Sequence, residues 1–257
     1  MIQLKKLEKR MVAYQQLTNI KSIDNNESLV TLEPKFGALE ARYSKLQDMI
    51  PLTGEKILVR ETVKQKLVKV SQNINKINKR WKLLVMYGYR APKIQKRYFV
   101  KNLTDMLEKQ KEVPSPVNLY EMTHRQVAVP KVSGHPTGGA VDVSLINTNG
   151  NLVNCGSKIY DLKNIKRYTF MTLKNKSAKK ARFILRDVMM QENFAPFDGE
   201  WWHFSYGDKE WAAYYKKQTA FYNQLSLKVI TNLQGLSLKS KKQAKLPQET
   251  SRFNPAG

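Results

Sequence analysis

The chain has 257 residues, with 45 Lys+Arg against 21 Asp+Glu and a formal net charge of +24. At roughly 100–200 residues per domain the length admits one large domain or two small ones, and an apolar share of 41% with 10% aromatic residues excludes disorder throughout. No stretch approaches the roughly 18 apolar residues of a membrane span, and one cysteine, Cys155, excludes a disulfide framework, a zinc finger or an iron–sulfur cluster.

The charge suits a polyanion, whether nucleic acid, an anionic membrane surface or an acidic cell-wall polymer. The lysines are spread over the whole length, and there is no zinc-finger spacing, RNP-like aromatic pattern or P-loop. Nucleic acid is therefore disfavoured, while an anionic polymer against the basic surface stays open. Basic residues open the chain between Met1 and Arg10, but no apolar segment follows them, so no Sec signal is visible. The expected location is cytoplasmic, or periplasmic or secreted if a leader has been removed.

Residues 1–50 are polar and basic, with helical spacing in Leu4, Leu7 and Met11 and again in Leu39, Tyr43 and Leu46. Val63, Leu67, Val70, Ile74, Ile77 and Trp81 advance in steps of 4, 3, 4, 3 and 4, an apolar stripe that a long helix turns to the core. Lys82 to Tyr87 reads as a buried strand ending at Gly88. Prolines at 92, 114, 116, 130 and 136 predict loops over 91–135 after one short helix near 93–111. From Ala140 the pattern alternates, with Val141, Val143 and Leu145 on one face of a strand, Asp142 and Ser144 on the other, and Asn149-Gly150 as a hairpin turn. Residues 177–192 form a helix with Ala181, Ile184, Leu185, Val188 and Met189 inward. Pro196-Phe-Asp-Gly199 turns into a strand from Trp201 to Tyr206, and Asp208 caps a last helix reaching Tyr222. Lys239, Lys241, Lys242, Lys245 and Arg252 face only Glu249 in a tail with little to bury. The order predicts an α+β fold, with a basic helical extension over 1–40, a main domain over 41–235 and a disordered basic tail over 236–257.

Three histidines are few enough to weigh singly. A hydrolytic zinc site takes three protein ligands, keeps a fourth position for water and needs a separate carboxylate as base. Asp142 lies on the polar face of its strand, and His135 precedes it in a glycine-rich loop able to fold back. Glu200 stands three residues before His203, a spacing that puts the two on opposite faces of a flat strand. They act together only if Glu200 still belongs to the Gly199 turn. On spacing alone, two ordinary histidines fit as well as a metal pair, and Arg90 reads as a surface arginine after a strand.

Ser133-Gly-His-Pro-Thr-Gly-Gly-Ala-Val-Asp142 fits the pattern S-x-H-x-x-G-x-A-x-D, and Glu200-Trp-Trp-His203 fits E-x-x-H, in that order along the chain. Together they resemble the VanX-type D-alanyl-D-alanine dipeptidases and their relatives, the D,D-carboxypeptidases. Val59-Arg-Glu-Thr-Val63 and Gly88-Tyr-Arg90 agree, and the resemblance covers roughly residues 40–225. It implies the zinc D,D-peptidase fold, a central antiparallel sheet flanked by helices, and one Zn²⁺ per chain on His135, Asp142 and His203. It also implies that Glu200 is the general base, taking a proton from the zinc-bound water and handing it to the leaving amine, and that Arg90 holds the developing oxyanion. Ser133 would hydrogen-bond the substrate, and Asp161 would meet the substrate ammonium and select a free amino terminus. The implied reaction is hydrolysis of the D-Ala–D-Ala amide in cell-wall metabolism. Two readings compete. In Met86-Tyr-Gly-Tyr-Arg-Ala-Pro92 an alanine separates Arg90 from Pro92 and Tyr87 stands where an acid is common, which looks more like the carboxypeptidase branch and its peptidoglycan stem peptide. The other is a polyanion-binding protein on an inactive peptidase scaffold, disfavoured because all three ligands and the base are present. His124 matches no ligand of the family and reads as structural; Trp201, Trp202 and Trp211 read as core beside the site.

Overall fold

The computed structural model describes residues 2–44 and 46–226, so the expected disordered tail lies outside the described residues. Two short helices, α1 (Ile2–Glu8) and α2 (Tyr14–Thr18), lead into strands β1 (Lys21–Ser22), β2 (Leu29–Thr31), β3 (Lys35–Phe36) and β4 (Leu39–Ala41). Then come α3 (Ile50–Thr53), β5 (Leu58–Arg60), the long α4 (Glu61–Ile77), β6 (Trp81–Tyr87), α5 (Pro92–Leu107) and α6 (Pro116–His124). The second half holds β7 (Ala140–Asn147), α7 (Lys176–Gln191), β8 (Ala195–Pro196), β9 (His203–Ser205), α8 (Lys209–Tyr214) and β10 (Thr219–Ala220). No described helix is long and apolar enough to cross a membrane.

The main sheet has six strands in the order β3-β4-β6-β7-β9-β8. Every pair is antiparallel except β4–β6, which is parallel. The α+β expectation holds, with one parallel pair in the otherwise antiparallel sheet. Helices α4 and α7 pack on it and on each other. Val63, Leu67, Val70 and Ile74 from α4 meet Leu185, Val188 and Met189 from α7 over Val141, Val143 and Leu145 of β7 in one buried cluster. Burial of each such side chain contributes about 1.5–3 kcal/mol, which is why the 3.6-residue stripe governs the placement of α4.

Several local expectations change. Ile77 is 54% exposed and Trp81 opens β6, because the chain leaves the helix at Asn78 in an extended conformation. Leu39 lies in a strand, not a helix; Gly37, at φ +57°, permits the tight β3–β4 connection. Helix α6 stands where loops are expected: Pro116 begins it and the Ser115 hydroxyl accepts from the Asn118 N–H, so the proline is a starter rather than a breaker. Asp208 does cap a helix, accepting from Trp211 N–H, but α8 stops at Tyr214 and the chain returns as β10 beside β1. The first forty residues are helical only in their first half; β2 pairs with β5, and β4 joins the main sheet.

Arg60 ties these pieces together. It is fully buried and donates to both carboxylate oxygens of Asp24 (2.7 and 3.3 Å) and to the carbonyls of Thr137 (2.8 Å), Asn223 (3.1 Å) and Glu27. One guanidinium thereby joins the N-terminal segment, the loop before β7 and the C-terminal end of the described chain. Burial alone would raise the Asp24 carboxyl, but hydrogen bonds from Arg60 and from the N–H of Asn223 and Asn26 hold it below the ordinary aspartate range. Arg60→Met should cost about 1–3 kcal/mol in urea unfolding, because it removes the buried donor from several carbonyls and leaves the half-buried Asp24 without its partner. A depressed carboxyl contributes above its unfolded pKa, so the difference between wild type and variant should shrink as pH falls below about 3.9.

Candidate active site

Strand pairing sets the centre of the site. In β7–β9, Asp142 lies directly opposite His203, which makes them cross-strand neighbours on one face. On the other side of β7 the register slips between Val85 and Tyr87, so that Tyr87 and not Met86 lies opposite Asp142. This bulge turns the end of β6 toward the site, as bulges beside functional residues do. The polar face of β7 is not solvated: Asp142 and Ser144 are as buried as the valines behind them.

His135 arrives from the loop. It begins a 3-10 turn, His135–Thr137, bracketed by Gly134 and Gly138. A Cβ on Gly134 would stand 2.1 Å from Asp208 Oδ2, so only glycine lets the loop lie this close to α8. The Nδ1 of His135 is bonded to the Gly88 carbonyl at 2.8 Å, and its Nε2 is 3.4 Å from Asp142 Oδ1. The Nδ1 of His203 is 3.0 Å from the same oxygen. One ligand atom from each of the three residues lies within 4.8 Å of the others, and all three residues are buried. Ligands ~2.0–2.1 Å from a tetrahedral zinc stand roughly 3.3–3.4 Å apart; the two nitrogen–oxygen separations, 3.4 and 3.0 Å, are close to that, and two imidazoles with a carboxylate are a donor set that suits the ion.

The same residues line a cavity of about 190 Å³ together with Arg90, Ser133 and Glu200. Glu200 belongs to the turn, as its cooperation with His203 requires: its N–H donates to Phe197 O and its carbonyl accepts from His203 N–H. Burial pushes its carboxyl up to about 7, against the pull of Arg167 and His203. Arg90 is a buried residue, not a surface one. Its guanidinium lies over the rings of Tyr87 (4.5 Å) and Tyr98 (5.2 Å) and donates to Gln95 Oε1 at 2.9 Å. Both tyrosine hydroxyls donate to Asp48, which locks the aromatic clamp. Burial works against charge on His203, yet Asp142 and Glu210 outweigh it and hold its pKa well above the usual value. Burial dominates at His135 and lowers it.

Asp161 is not brought to this cavity. It faces a separate groove and accepts from Asn164 Nδ2 at 3.2 Å. Tyr160 lines the cavity instead, because the backbone at Tyr160 takes φ +62° and sends the two neighbours to different sides. The Tyr160 hydroxyl is buried without a well-formed hydrogen bond, and burial, with Asp142 nearby, keeps it protonated. His124 accepts the Val129 N–H and is buried, as a structural histidine would be, while one edge of it also lines the cavity. Tyr160, Gln95, Tyr98 and Glu210 were not singled out by sequence; none sits in a motif, and their common property is convergence in space. Trp201 and Trp202 are buried in the core cluster, with Trp201 Nε1 donating to Ser157.

A buried donor set of two histidines and one aspartate, with a separate carboxylate in the same cavity, is the arrangement of metal-assisted hydrolases. Residues 38–224 match the sequence profile of peptidase M15, D-ala-D-ala dipeptidase, and the chain belongs to that family. It is 26% identical over 216 residues to a D-alanyl-D-alanine dipeptidase of Synechocystis sp., covering 76% of this chain and 84% of that protein. Among solved structures it is similar to the vancomycin-resistance D,D-pentapeptidase VanY in complex with Zn(II), with TM-score 0.42 and 14% identity over 84% of this chain and 99% of that one. It is also similar to the D,D-dipeptidase VanXYg in complex with a D-Ala-D-Ala phosphinate analogue, with TM-score 0.37 and 17% identity over 86% of this chain and 74% of that one. A divalent metal titrated into the metal-free chain should saturate at one equivalent, and His203→Ala or Asp142→Ala should abolish that saturation in isothermal titration.

Proposed function

We propose that the chain is a zinc-dependent D-alanyl-D-alanine dipeptidase. The observation that carries the reading is one cavity in which the buried His135, Asp142 and His203 converge with Glu200 and Arg90. The name of the Synechocystis relative supports the same substrate.

Zinc held by His135, Asp142 and His203 would supply Lewis-acid polarisation and a water of lowered pKa. The chain's own groups do the rest. Glu200, with its carboxyl at about 7, is poised to take the proton of the attacking water and return it to the leaving amine. Arg90, pre-positioned by Tyr87, Tyr98 and Gln95, balances the negative charge that develops on the carbonyl oxygen without having to reorganise. Tyr160 is a protonated donor in the same wall, and Ser133 offers a hydroxyl to the substrate backbone.

A second reading, a peptidoglycan D,D-carboxypeptidase or endopeptidase, is favoured by one observation: Asp161 does not face the cavity. The two are separated by measuring D-Ala release from free D-Ala-D-Ala and from a stem pentapeptide. The zinc-loaded chain should release D-Ala from the dipeptide, and Glu200→Gln should lose that release while still binding zinc. Arg90→Ala should lower kcat by about 10²–10³, the loss typical of an oxyanion donor. Release from the pentapeptide alone would move the assignment to the carboxypeptidase.

A further inference from the structure

Each histidine of the cluster turns one nitrogen to Asp142, and each has its other nitrogen held from behind. For His135 the holder is the main-chain carbonyl of Gly88. For His203 it is a side chain: Glu210 Oε2 lies 3.3 Å from Nε2 while Nδ1 faces Asp142. Glu210 sits in the first turn of α8, is buried, and also accepts from the Ser205 hydroxyl at 3.3 Å. No metal-binding or catalytic pattern in the sequence includes it.

An imidazole can bind a metal only through a nitrogen that carries no proton, and an acceptor at the opposite nitrogen fixes the proton there. When a metal takes the place of the proton at Nδ1, an acceptor at Nε2 keeps the remaining proton there and leaves Nδ1 on the side of Asp142 as the donor nitrogen. A carboxylate does this more strongly than a carbonyl, because the hydrogen bond is charge-assisted. The pairing also separates the two glutamates of the cavity. Glu200 lies in the turn before β9, whereas the Oε2 of Glu210 is engaged by His203 and Ser205.

We propose that Glu210 is a positioning residue for the metal: it holds His203 in the tautomer and ring orientation that present Nδ1, and it acts through His203 rather than on the substrate. This rests on the reading of His135, Asp142 and His203 as a metal site. The rival role is structural, as an acid favouring the first turn of α8.

Zinc affinity of the full chain is measured by competition with a chromophoric chelator, with folding followed by circular-dichroism melting and the ligand field by the visible bands of the Co(II)-loaded protein. Glu210→Ala should weaken zinc binding by about 10- to 100-fold, and Glu210→Gln by an amount toward the lower end of that range, since an amide oxygen still accepts without the charge. The Co(II) bands should shift in both. A purely structural role would lower the melting temperature and leave affinity and bands unchanged. Either variant, folded and binding zinc within about twofold of wild type with unshifted bands, overturns the proposal. Glu210→Gln, of nearly the same shape, keeps the test in force if the alanine variant does not fold. A wild-type chain that takes up no zinc would instead overturn the metal reading, and this inference with it.

Discussion

Burying the carboxylate of Asp142 is the constraint around which this molecule is arranged. At 2% exposure in a central strand it is almost wholly withdrawn from bulk solvent, and an uncompensated charge there costs several kcal/mol. Burial pushes its carboxyl up, yet the two imidazoles outweigh burial and hold it far below the ordinary aspartate range. One of them comes from the facing strand and the other from a loop that must fold over the sheet end. The β6 bulge, the glycines around His135 and the Arg60 clamp on Thr137 all serve that approach. The atoms that neutralise Asp142 are the same atoms that can share a cation with it.

Around that centre three of the cavity's side chains are each held by a second group. His135 leans on the Gly88 carbonyl, Arg90 on two tyrosines that are themselves tied to Asp48, and His203 on Glu210. Such support fixes dipoles and charges before the reaction begins, which is where enzymes gain most of their electrostatic advantage. It also sets two glutamates apart. Burial dominates at Glu200 and raises it to about 7, whereas at Glu210 the bonded His203 overcomes burial and lowers the carboxyl. Carboxyls whose environments push them apart in this way divide into a group that moves protons and a group that stays charged.

The basic surface stands apart from this chemistry. The cavity wall mixes Arg90 with Asp142, Glu200 and Glu210, so the excess of +24 lies elsewhere on the molecule. Charge of one sign over a whole surface acts on solubility and encounter rather than on fold.

Periodicity was enough for most of the α4 stripe, the buried strand β6, helix α7 and the β7 strand, and the resemblance to a family's motifs brought forward His135, Asp142, Glu200, His203 and Arg90, which the fold gathers around one cavity. Those signals are local: apolar side chains repeat with the element that buries them, and a chemical motif keeps its spacing because one short segment must present its groups together. Proline misled at Pro116, where a helix start and a helix stop use the same residue. Asp161 and Tyr160 could not be told apart along the chain, since a single backbone turn at φ +62° decides which of two neighbours faces the cavity. Glu210, Gln95, Tyr98 and Asp48 were beyond sequence altogether. The amino-acid order by itself singled out His135, Asp142, Glu200, His203 and Arg90 as the candidates, because their motifs are short and local. Only tertiary packing decided which groups hold them in place, because support of that kind depends on distance in space and leaves no regular interval along the chain.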